Sequence, residues 1–193
     1  MKSNNPRINF LCYIAKICAK ANSTLGFLRR NLKISSPRIK EKAYKSFVRP
    51  LLEYASAVWD PHEVKLKEQI EKVQRRAARF VLNRHHNTSS VSEMLIHLKW
   101  EPLELRRRTS RLSTFFKIIN NDICCKDLQA QLQRKSRNQR VGNNKQYQQI
   151  PCRTNYRDQS FLPKTIRDWN SLPQSTVDAE TLDTFVSRVT RQQ

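Results

Sequence analysis

The chain has 193 residues, enough for one domain or one and a half, and it carries 37 Lys and Arg against 16 Asp and Glu, a formal charge of +21. Hydrophobic residues make up 38% and charged residues 27%, with only two glycines, Gly26 and Gly142. That composition suits thin helical layers, excludes a glycine-rich phosphate loop or dinucleotide fingerprint, and points to a polyanionic partner, nucleic acid above all. The positive excess is present in residues 1–60, 61–122 and 123–193 alike, so it is not a detachable tail. Five cysteines (Cys12, Cys18, Cys124, Cys125, Cys152) form an odd set without a C-x-x-C pair, and His85-His86 has no second pair at ligand spacing. Neither a disulfide scaffold nor a metal site is implied. The apolar stretch Phe10–Ile14 is interrupted by Lys16 and Lys20 too soon for a signal peptide or membrane span, which leads us to expect a soluble intracellular chain, nuclear or cytoplasmic.

In chain order, Leu11, Ile14, Cys18, Ala21, Leu25 and Leu28 keep helical spacing, with Asn31 as a stop. Ser36-Pro37 opens a second helix to about Val48, which Pro50 should break or kink because proline removes a helical N–H. Leu51, Leu52, Ala55 and Val58 suit a bent continuation, across which Arg49 and Glu53 can pair structurally. Residues 63–82 predict the cleanest helix, with Leu66, Ile70, Val73, Ala77 and Phe80 on one face and Glu68–Lys72 and Glu71–Arg75 as i,i+4 pairs. Ser90-Val91-Ser92-Glu93 is a capping box for a short helix to about Leu98. Pro102 starts another, with Leu105, Leu112, Phe115, Phe116 and Ile119 as its core stripe, and a short helix covers about 126–133. Ser136–Pro151 is rich in Asn, Gln, Lys and Arg and reads as a mobile linker. Beyond it, Pro163 marks a helix through Trp169 and a last helix covers about 180–189. Strand signals are nearly absent. The expected fold is all-α: a helical bundle over 1–122, a short helix and basic linker over 123–152, and a small helical extension over 153–193.

No catalytic constellation stands out. Polymerase-type phosphoryl transfer needs paired carboxylates to hold two metal ions, and no two aspartates are adjacent, so the chain reads as non-catalytic and without a cofactor. The arginines carry more. Lys65, Lys72, Arg76 and Arg79 lie at helical spacing beside the apolar stripe of the 63–82 helix; Arg106, Arg107, Arg108 and Arg111 repeat the theme on the 102–119 helix, and Arg29-Arg30 on the first. Guanidinium forks suit a phosphate backbone. An ordinary solvated face, with Glu68, Glu71 and Glu104 as local partners, stays open as the plainer account. Tyr44, Tyr54, Trp59, Trp100 and Trp169 are better read as core than as base-stacking platforms, with Trp59 and Trp169 as anchors between helices.

Several blocks in fixed order carry a family likeness: Lys20-Ala21-Asn22-Ser23-Thr24-Leu25-Gly26-Phe27-Leu28-Arg29-Arg30; Tyr44-Lys45-Ser46-Phe47-Val48-Arg49-Pro50-Leu51-Leu52-Glu53-Tyr54 with Trp59-Asp60-Pro61; Val73-Gln74-Arg75-Arg76-Ala77-Ala78-Arg79-Phe80; Leu98-Lys99-Trp100; and Phe161-Leu162-Pro163 through Asp168-Trp169-Asn170-Ser171-Leu172-Pro173. Together, over about residues 16–187, they resemble the region after the palm in reverse transcriptases of LINE-type (non-LTR) retrotransposons, the jockey and chicken-repeat group. The resemblance implies a helical thumb that grips a template–primer duplex, followed by a C-terminal extension, with duplex contacts from Arg29, Arg30, Arg75, Arg76 and Arg79. The palm's aromatic-x-Asp-Asp motif, the fingers, the endonuclease and a terminal Cys/His knuckle have no counterpart in this sequence. The implied protein is a truncated, non-catalytic piece of an RNA-directed DNA polymerase. Its nucleic-acid contacts would be Arg29, Arg30, Lys65, Lys72, Arg75, Arg76, Arg79, Arg106, Arg107 and Arg111, its partner RNA or an RNA–DNA duplex without sequence preference, and it would need no membrane or small-molecule substrate. An inert or domesticated helical interaction protein is the alternative.

Overall fold

A computed structural model describes residues 6–84, 90–135 and 143–192. The His85-His86 pair lies outside them. The fold is all-α: the described residues hold no strand, only one isolated antiparallel bridge, Arg134–Tyr147. No helix is long and apolar enough to cross a membrane, and no group of His, Cys, Asp and Glu could hold a metal ion, among the described residues. The chain divides into two compact units, Met1–Arg106 and Arg107–Gln193, each with its own core.

In the first unit, α1 (Pro6–Asn31) buries Ile14, Cys18, Ala21, Leu25 and Leu28 against α5 (Val64–Leu82), whose Leu66, Ile70, Val73, Ala77, Phe80 and Val81 form the facing stripe. Burying such aliphatic side chains contributes about 1.5–3 kcal/mol each, the largest favourable contribution to this unit. Proline opens α2 (Pro37–Ala43) without loss, since its missing N–H falls where no helical acceptor exists.

Of the two outcomes expected at Pro50, a break or a bent continuation, the helix continues. The helix passes from α2 through a π-turn, Tyr44–Val48, into α3 (Arg49–Glu53), with the Arg49 N–H donating to Tyr44 O, five residues back. The wider turn lets the chain pass the missing proline donor and stay helical. The break comes later, at Tyr54–Ala55, where Ala55 takes a left-handed conformation (φ 51°) and α4 (Ser56–Trp59) turns back. Trp59 is buried there, and its indole N–H donates to Tyr54 O at 2.7 Å. Tyr54, expected in the core, is exposed.

Two buried polar groups tie these elements together. The Lys40 ammonium donates to Lys33 O (3.2 Å) and Asn83 Oδ1 (2.7 Å) and sits 5.4 Å from the Phe80 ring centroid. It thereby joins the segments just beyond the C-termini of α1 and α5, where helix dipoles favour a cation. Tyr44 stacks on Trp100 (4.4 Å between centroids) and donates its hydroxyl to Gln74, whose amide donates to Glu101 O. The capping residue expected at Ser90 is present: its hydroxyl accepts from the Glu93 N–H and opens α6 (Val91–His97).

The last helix to begin in the first unit is α7 (Leu103–Ile119); Glu71 accepts from the N–H of Glu104 in its first turn. From Arg107 onward α7 belongs to the second unit, so the bundle expected over 1–122 ends at 106. There Leu112, Phe115 and Phe116 pack with Trp169 of α10 (Phe161–Asn170) and Phe185 of α12 (Leu182–Arg191), in a stack of edge and face contacts 4.6–5.6 Å between centroids. Short turns α8 (Lys126–Ala130), α9 (Asn155–Asp158) and α11 (Gln174–Val177) complete the unit. α10 starts at Phe161, two residues before Pro163, and α12 is capped by Thr181, which accepts from the Thr184 N–H.

The described part of the expected mobile linker is packed. Asn143 is buried and its amide donates to Trp169 O (3.1 Å) and Leu172 O (3.0 Å), closing the C-terminus of α10. Asn170 exchanges two hydrogen bonds with the backbone of Tyr147, whose ring lies edge-on to Phe115, and the Trp169 indole donates to Lys145 O. A polar composition thus conceals one asparagine, Asn143, that satisfies a helix end, and a backbone at Tyr147 that Asn170 of α10 holds in turn. Residues 136–142 lie outside the described residues.

Candidate nucleic-acid interface

At 3.6 residues per turn, Lys65, Lys72, Arg75, Arg76 and Arg79 fall within about 100° of arc on α5, opposite the buried stripe and not beside it as expected, because the buried face extends to Gln74, Ala78 and Val81. Lys65, Lys72, Arg75 and Arg76 are exposed; Arg79 is half-buried, with its Nε shielded from solvent. Glu68 is the acidic residue within that arc. Arg76 donates to Asn22 Oδ1 (2.9 Å) on α1, so the α5 cations border a helix that contains no carboxylate at all: the first acidic residue of the chain is Glu41. Arg29 and Arg30 are exposed in the last turn of α1. The Lys40 tether joins the C-terminal ends of α1 and α5, which places Arg29, Arg30 and Arg79 toward the same end of the pair. This surface can neutralise phosphates from two adjacent helices.

The four α7 arginines have other places. Arg106 is half-buried and donates from Nε and Nη2 to the two oxygens of Glu53, the second at 3.2 Å, with Glu101 3.9 Å away. The Glu53 hydrogen bond leads in raising the pKa of Arg106, and burial opposes it. Arg49 stands 3.8 Å from Glu53 as well, so the expected Arg49–Glu53 couple exists but Arg106 is its stronger member. Arg107 and Arg111 are 0% and 2% exposed. Arg111 pairs with Asp168 of α10, and Arg108 lies 3.7 Å from the same carboxylate. Arg107 and Arg111 are therefore corrected from nucleic-acid contacts to interior residues.

The signal that could have found this is spacing: Arg107, Arg111 and Phe115 are four apart, on one stripe of α7. Asp168, within the Asp168-Trp169 pair of α10, is the counter-charge that makes the burial of Arg111 tolerable, since an unpaired interior guanidinium is strongly unfavourable.

Sequence reasoning also passed over a polar cavity of about 230 Å³ in the first unit. It is lined by Tyr44, Lys45, Arg49, Gln74, Lys99, Trp100, Glu101 and Arg106. No protein-family model, curated protein or solved structure matches the chain.

Proposed function

We propose that this chain is a nucleic-acid-binding helical module of the kind found after the palm of LINE-type reverse transcriptases, without catalytic chemistry of its own. It binds RNA or an RNA–DNA duplex through the phosphate backbone and without sequence preference. The observation that carries this reading is the exposed cation row Lys65, Lys72, Arg75 and Arg76 on α5, bordering the carboxylate-free α1 with Arg29 and Arg30 at its end. Arginine supplies a planar fork for phosphate, and a row at helical spacing follows a backbone rather than a single anion. The ordered residue blocks quoted above supply the family part of the reading.

Affinity for an RNA–DNA duplex, measured against salt, is the test. Each phosphate neutralised contributes about 0.9 to the slope of log K on log salt, so a slope of about −4 to −6 is expected. Absent or salt-insensitive binding at about 100 mM salt overturns the reading.

A further inference from the structure

The cavity between α3, α5 and the α6–α7 connection combines three features. Its lining holds Lys45, Arg49, Lys99 and Arg106 against one carboxylate, Glu101. Two more carboxylates stand behind it and are engaged: Glu41 accepts from Lys45 (2.6 Å) and from the Trp100 indole (3.1 Å), and Glu53 accepts from Arg106 with Arg49 beside it. Counting these three acids, one positive charge is left over; Glu71, which also acts on Tyr44, is engaged by the Glu104 N–H at the start of α7. At about 230 Å³ the cavity is below the ~300–1,000 Å³ of ordinary organic-ligand pockets, with room for a tetrahedral oxyanion and a few waters at ~30 Å³ each.

The third feature is backbone strain. Lys99 has φ 52°, and its N–H donates to Ile96 O (3.0 Å) while that of Trp100 donates to Leu95 O (2.9 Å). This is the Schellman ending of α6, whose left-handed position is usually glycine or asparagine. The same ending at Asn121 obeys that preference, as does the left-handed cap Asn83 of α5. Lysine there is a costly choice for the fold, and it sets a cation on the cavity wall.

We propose that this cavity is a phosphate-group site, with Lys99 and Arg49 as its principal donors and Lys45 and Arg106 completing the positive wall. Its floor is fixed before any ligand arrives, because Tyr44 is clamped between Trp100 and Gln74. The phosphate is either the free ion or the monoester end of a nucleotide. The site is separate from the α5 cation row and does not depend on duplex binding.

Titration of the full chain with inorganic phosphate at constant ionic strength, followed by calorimetry and phosphorus NMR, tests it. The expected result is saturable binding in the millimolar range. Lys99→Gly should raise the melting temperature, by relieving the left-handed lysine, and yet weaken phosphate binding about tenfold. Arg49→Gln should weaken binding to a similar extent, whereas Lys16→Gln, an exposed cation of α1, leaves it unchanged. A 5′-phosphorylated dinucleotide that binds more tightly than inorganic phosphate, and loses that advantage without its phosphate, assigns the site to a nucleic-acid end; equal affinities assign it to the free ion. No saturable binding by the unaltered chain up to about 20 mM phosphate overturns the proposal. So does a Lys99→Gly variant that is stabilised and binds phosphate like the parent.

Discussion

Helices α5 and α7 carry the same ingredients, an apolar stripe with arginines at helical spacing, and use them in opposite ways. On α5, buried positions recur at every turn from Leu66 to Phe80, so the stripe is complete and the cations are left outside it. On α7, no apolar residue stands between Leu105 and Leu112, and Arg107 and Arg111 occupy the inward positions instead. The lack of an apolar competitor leaves both positions to arginine, and Asp168 on α10 pairs with Arg111 there. A row of arginines is therefore a surface only where the helix already has a complete apolar face.

The strongest way to break this contrast is at Asp168. Asp168→Ala leaves the Arg111 guanidinium without its carboxylate and should destabilise the second unit by about 2–3 kcal/mol, less than a fully enclosed pair because Asp168 is 26% exposed. Urea unfolding followed by circular dichroism reads this directly. Adding Arg111→Met should recover much of the loss, because replacing both charges removes the desolvation cost along with the pair. If Asp168→Ala were silent, Arg111 would not be an interior ion-pair residue.

The counterpart on α5 is Arg75→Gln with Arg76→Gln. Stability should change by less than about 0.5 kcal/mol for each exposed substitution, while the salt slope for duplex binding drops by about 2. Equal duplex affinity with unchanged helicity would make the α5 row a solvated face. Arg107→Gln, judged by the same assay, should lower the melting temperature with no change in slope.

A smaller effect sharpens the picture of the first core. Burial, foremost, raises the Tyr44 pKa well above its ordinary 10.0, with Arg49 opposing and Glu53 adding to it. The phenol therefore stays protonated in the folded chain where the unfolded chain ionises. Its stabilising contribution is complete below pH 10 and declines as pH rises above that value. Tyr44→Phe should flatten the alkaline limb of the melting profile while losing the hydrogen bond to Gln74, a net cost of about 1 kcal/mol at neutral pH.

The smallest effect concerns Glu41. Burial opposes its ionisation, but hydrogen bonds from Lys45 and Trp100 and the nearby charges of Lys45 and Arg49 outweigh it, so the pKa is lowered from 4.5. Its contribution is present above pH 4.5 and fades as pH falls through the depressed value. Glu41→Gln should remove that acid dependence, read from Trp100 fluorescence.

Much of the fold was legible in the sequence because helices are local objects. The stripes of α1 and α5, the Ser90 cap and the α7 start after Pro102 follow from periodicity and capping chemistry within a few residues. What escaped depends on partners far along the chain. Pro50 sits inside a continuous helix because a π-turn absorbs it, and Asn143 reads as linker until Trp169 and Leu172 present their carbonyls. The cation row on α5 could be read from spacing, and so could the shared stripe of Arg107 and Arg111 on α7, whereas the partners of Arg106 and Arg111 could not, since Glu53 and Asp168 lie 53 and 57 residues away from them.

The sequence by itself determined an all-α protein of strong positive charge, with its principal helices at nearly the right bounds. Backbone hydrogen bonds, caps and apolar period are set by near neighbours, and each of those is written in the local string. Only the tertiary structure decided which cations face water, where the chain divides into units, and that Lys99 closes a polar cavity with Arg49. Those outcomes turn on which distant carboxylate, carbonyl or ring comes to rest beside a side chain, and no helical period encodes that.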